Sequence, residues 1–97
     1  MSENFTRSLT GAAPPPGLSP ALLALWHGLR GEWDASHRIV QDAEGGDEAW
    51  VHAWLHRVEG DLPNARYWYR RANRAVPPAD LATEREGHAI AATLFGV

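Results

Sequence analysis

The sequence predicts an all-α fold of antiparallel helical hairpins. No segment shows the period-two alternation of apolar and polar residues that a half-buried strand requires. Helix-length stretches are instead bounded by glycine and proline signals at Gly31, Gly45-Gly46, Gly60 and Pro77-Pro78. The connections between them are short, so consecutive helices should pack antiparallel. Ninety-seven residues, 44% of them hydrophobic, suffice for one domain with a packed core.

Residues 1–17 read as a flexible, proline-rich arm, set apart from a single helical domain over 18–97. The stretch TGAAPPPGLSP, residues 10–20, carries four prolines and two glycines. Proline fixes its own φ and restricts the residue before it, which favours extended chain. The first helix is expected at Ser19-Pro20, a capping hydroxyl followed by proline in the first turn, and continues through ALLALWHGLR to Gly31. The second covers WDASHRIVQDA, Trp33 to Ala43, closed by Gly45-Gly46. The third runs from about Glu48 to Glu59, with Asp47 as its cap and Gly60 as its stop. The fourth starts at Asp61 with LPNARYWYRRAN and ends before Pro77-Pro78. A fifth opens near Asp80 and reaches Phe95, where Leu81, Ile90, Leu94 and Phe95 could cover one end of the domain.

An internal repeat supports the hairpins. GEWDASHRIVQDA (31–43) and GDLPNARYWYRRA (60–72) both start with glycine and an acid, and both have a small residue sixth and alanine thirteenth. The offset is 29 residues, and carried backwards it pairs Ala24 with Ala53 and His27 with His56. Small residues at these places let two helices approach closely. Ala53, Gly60, Ala65, Tyr69, Ala72 and Pro77 stand at spacings that resemble a tetratricopeptide repeat. Ala24, Gly31, Ser36, Val40 and Ala43 follow the pattern less closely. The resemblance covers roughly residues 20 to 77, and the offset is shorter than the usual repeat of about 34. It implies two tetratricopeptide-like units plus a C-terminal capping helix, a scaffold for a peptide or protein partner. The string WDASHRIVQD through WVHAWLHRVEGDLPNARYWYRRA also resembles a family of small bacterial proteins of unassigned function, which supplies no chemistry.

The net charge of −3 argues against a general nucleic-acid binder. The absence of cysteine excludes disulfides, thiolate metal sites and cysteine nucleophiles. With no signal-peptide pattern and no apolar run of membrane-spanning length, the expected setting is cytoplasmic, with no membrane partner. No serine–histidine–acid set can be assembled by spacing, so the balance is against an enzyme.

The chemistry-bearing residues lie on the third and fourth predicted helices. On a helical wheel Trp50, Val51, Trp54, Leu55 and Val58 form a core arc, while His52, His56 and Glu59 fall opposite it at i, i+4 and i+7. That strip can face solvent or a partner, or lie hydrogen-bonded between packed helices. It can also bind a divalent metal through His52, His56 and Glu59, with His37 on the second helix or His27 one repeat earlier completing the set. On the fourth helix Arg66, Arg70 and Arg74 form a stripe flanked by Arg71 and Tyr67. Ion pairs with Glu44, Asp47, Glu48 or Glu59 are the plain explanation, and an anion or acidic-peptide site is the functional one. Trp26, Trp50, Trp54 and Trp68 fall on core faces, whereas Trp33 at the turn is the candidate for partial exposure, and an exposed indole there would be a contact anchor. The leading expectation is a non-enzymatic interaction module that binds a protein or peptide partner, or itself, through His52, His56, Glu59, Arg66 and Arg70. It calls for no cofactor. The alternative is a metal- or small-ligand-binding protein centred on the histidines.

Overall fold

Ser19 accepts a hydrogen bond from the Leu22 amide and starts a helix at Pro20, as the cap signal predicts. In the computed structural model, which describes residues 2–96, this is the second of six α-helices. They are α1 (Ser2–Ser8), α2 (Pro20–Leu29), α3 (Trp33–Val40), α4 (Gly46–Glu59), α5 (Leu62–Ala72) and α6 (Thr83–Phe95). No strand occurs among the described residues. The principal axes measure 33 × 28 × 25 Å. α2 packs on α3 and α4 packs on α5, which gives the two expected hairpins, and α6 lies against α2 and α4.

Three helix boundaries differ from expectation. α3 ends at Val40 rather than Ala43. α4 begins at Gly46, with Gly45 at the cap, so Asp47 lies inside the first turn instead of capping it. An acid there still complements the positive helix end. α6 begins at Thr83 rather than Asp80, because the segment before it is held against α4 by the Arg57 guanidinium, which donates to the carbonyls of Pro78 and Leu81.

The N-terminal segment is not a free arm. Residues 2–8 form α1, and Phe5 is buried at 1% exposure with its ring edge-on to Phe95 at 5.5 Å. Trp26 Nε1 donates to Ser8 Oγ at 2.9 Å, and Arg30 reaches the carbonyls of Leu9 and Gly11. The stretch around Pro14–Pro16 is non-helical, as its composition requires.

α4 is the central helix. Every residue from Ala49 to His56 except the half-buried Trp50 is buried, wherever it falls on the wheel. Val51, Trp54 and Leu55 face the main core with Leu25, Trp26 and Ile90. Ala53 meets Ala65 and Tyr69 of α5 in a smaller cluster. Val58, placed on the core arc by the wheel, is instead 41% exposed, at the edge of a surface cleft between the end of α2 and the start of α6. Gly60 adopts φ +86°, the left-handed conformation that stops α4 and lets Asp61 cap α5.

Candidate metal centre

α3 crosses α4 so that His37 meets the histidine pair one helix away. His37 Nε2 and His52 Nε2 are 3.1 Å apart. The His52 and His56 rings stack at 4.8 Å, as their i, i+4 spacing allows. One ring nitrogen from each of His37, His52 and His56 lies within 4.8 Å of the other two. The wheel sets His52 and His56 opposite the core arc, and they are indeed off it, yet neither is solvated. They are 3% and 6% exposed. A helix between two hairpins has no wet side at its middle: α3 and Trp68 of α5 cover the face that a two-layer helix would give to water.

Two indoles flank the cluster. Trp33 stacks on His37 at 4.6 Å and donates its Nε1–H to the Leu55 carbonyl at 2.8 Å. It is half-buried, as its place at the turn suggests, with its polar Nε1–H turned inward. Trp68 stacks on His52 at 3.9 Å. Glu59, at the open side, accepts from or shares a proton with His56 Nδ1 at 2.7 Å. A carboxylate at Nδ1 favours the tautomer that carries its hydrogen there, with the lone pair on Nε2. Metal-binding histidines are commonly oriented by such a carboxylate. His56, Glu59 and Asp61 form a second group with ligand atoms within 4.8 Å, sharing His56 with the first. His27, the counterpart of His56 in the repeat, stands apart and bonds Glu32 through Nδ1 at 2.7 Å.

The surroundings disfavour charge on His52 and His37. Burial, then the neighbouring His56 and His37, pushes the His52 pKa down to about 4. Burial, with His56 alongside, also lowers that of His37. Neutral imidazole is the form that binds metal. His52 Nδ1 is buried with no hydrogen-bond partner, alone in this among side-chain nitrogens and oxygens of the described residues. His52 meets His37 through its other ring nitrogen, Nε2, so the unpartnered Nδ1 is a separate cost of burying this ring.

Arg66 and Arg70 do not join this centre. Trp68, which meets His52, and Arg66 are two positions apart on α5, about 200° round the helix. The binding set expected from sequence is therefore split between two faces. None of Arg66, Arg70, Arg71 and Arg74 pairs with a carboxylate among the described residues. Arg74 lies over the half-buried Trp50 at 3.9 Å and Arg71 over the half-buried Trp68 at 5.1 Å.

One group was not legible in the sequence. Glu86 of α6 is 5% exposed and accepts from Tyr69 Oη at 2.5 Å and from Arg57 Nη1 at 2.8 Å. Burial and the bond to Glu86 raise the Tyr69 pKa. The available signal was Tyr69 itself, since a tyrosine on a buried helix face needs a partner for its hydroxyl. The chain matches no known protein-family model, no curated protein and no solved structure.

Proposed function

We propose that this protein binds one divalent transition metal of the zinc class through His37, His52 and His56, with Glu59 orienting His56. The observation that carries this reading is the convergence of three imidazoles from two helices, their ring nitrogens within 4.8 Å of one another. Tetrahedral zinc with bonds of about 2.0–2.1 Å sets its nitrogens about 3.3 Å apart. The 3.1 Å between His37 and His52 is already close to that, so rotation of side chains alone can close the set. With no thiolate and nitrogen donors only, the site suits zinc, copper(II) or nickel rather than calcium or magnesium. Three protein nitrogens leave a fourth position open, while Glu59 stays on His56 Nδ1, the ring nitrogen turned away from the ion. The ion would tie α3 to α4 across the junction of the two hairpins.

The test is zinc titration of tag-free protein by calorimetry, with melting curves in zinc and in EDTA. One equivalent per chain is expected, with a rise of roughly 10 °C when free zinc is 100 times the dissociation constant. His37→Ala, at a half-buried position, should abolish the rise and leave the EDTA melting point nearly unchanged, and His27→Ala should leave the rise intact. No uptake at micromolar zinc, or uptake that persists in His37→Ala with His52→Ala, sinks the proposal.

A further inference from the structure

A second surface, on the far side of α5 from the histidines, has its own chemistry. A cleft of about 150 Å³ opens between α5 and the segment that follows it, lined by Leu62, Ala65, Arg66, Tyr69, Val76 and Pro77. Its rim is apolar and open to water: Leu62 is 49% and Val76 50% exposed. Its floor offers no free charge, because Arg57 and Glu86 neutralise each other there and Tyr69 spends its proton on Glu86. A space of about this volume accepts a benzene-sized or leucine-sized apolar group.

Beside the cleft runs a line of exposed positions on α5, Leu62, Arg66 and Arg70, each one turn from the next, while Arg74 lies beyond the left-handed Asn73 that ends the helix. The intramolecular ion pairs expected for these arginines are absent among the described residues, even though Asp47 and Glu48 begin the helix that packs on α5. Arg66 and Arg70 keep their guanidinium forks free, and such forks bind carboxylates bidentately.

We propose that this cleft and the Arg66–Arg70 edge dock an acidic segment of another polypeptide, which inserts one aliphatic side chain between Leu62 and Val76. Charge complementarity fixes the sign of the partner and the neutral cleft fixes its anchor. The spacing fixes its conformation. Arg66 and Arg70 are about 6 Å apart along the helix, close to the separation of alternate residues in an extended chain at about 3.3 Å each. The partner motif is therefore an aliphatic residue followed by acids at alternate positions. A nucleic acid fits less well. It has no aliphatic side chain for the cleft, the Arg66–Arg70 pair covers only about 6 Å of the helix, and the net charge of the chain is −3. This docking is independent of the metal.

Peptide display on the immobilised full chain tests it, followed by calorimetry with a synthetic peptide of the enriched sequence. The expected result is enrichment of Leu, Ile or Val followed by alternate Asp or Glu. Affinity should fall by about tenfold or more in Arg66→Glu with Arg70→Glu, and again in Val76→Asp. Those positions are exposed, so far-ultraviolet circular dichroism and melting should match the parent chain. Affinity unchanged by EDTA separates this result from the fate of the metal centre. No enrichment, an enriched sequence without acids, retained affinity in the double arginine variant, or tighter binding of a single-stranded oligonucleotide each overturns the proposal.

Discussion

His52 lies between two rings, Trp68 at 3.9 Å and His56 at 4.8 Å, with His37 at its edge. No carboxylate is hydrogen-bonded to it, so nothing offsets the cost of charging it there. Its pKa falls from 6.5 to about 4, so between those values the unfolded chain holds a proton that the folded one refuses. Stability therefore declines as pH drops through that window. In EDTA, urea unfolding at pH 4.5 should show a stability lower than at pH 7 by on the order of 2–3 kcal/mol from this residue alone. His52→Phe should remove most of that slope, and an unchanged slope in the variant would place the proton elsewhere. The i, i+4, i+7 line of His52, His56 and Glu59 was legible in the sequence, because it is a property of one helix. That His37 lies against them was not, because the wheel gives direction round a helix and says nothing about which neighbour stands there.

α4 shows what helix-level reading captures and what it misses. Its stop at Gly60 and the Asp61 cap beyond it follow from local backbone chemistry, and both are where the sequence puts them. Its surroundings are a matter of packing. Gly28 of α2 and Gly87 of α6 both press on the Trp54 indole, and a Cβ added to them would come within 2.5 Å and 2.8 Å of its ring atoms. The ring has no room to yield, because its Nε1–H is tied to the Thr83 carbonyl at 2.7 Å. Gly87→Ala should therefore destabilise the fold by about 1–3 kcal/mol, although alanine is the better helix former. A guanidinium-chloride midpoint equal to that of the parent would show that Trp54 moves aside at no cost. In the sequence both glycines look like mild helix weaknesses, since close approach depends on which side chain arrives opposite.

At the scale of the molecule, the all-α class and the hairpin limits were legible because glycine, proline and capping residues act locally. The docking of α1 was not. SENFTRS, residues 2–8, has one large apolar residue, and a single residue shows no period. Phe5 nevertheless belongs to the main core with Leu22, Trp26 and Ile90. Phe5→Ala should cost about 3 kcal/mol or more, read from chemical unfolding. A loss below about 0.5 kcal/mol, ordinary for a surface substitution, would mean that α1 does not contribute to the core. The placement of the five tryptophans has one more consequence. Trp26, Trp50 and Trp54 stand on Ser8, Arg74 and Thr83, while Trp33 and Trp68 share a ring face with His37 and His52. A proton or a cation on either imidazole would quench the indole stacked on it and leave Trp26, Trp50 and Trp54, which stack on neither, bright. The protein's own ultraviolet emission is thus a built-in gauge of what its histidines hold.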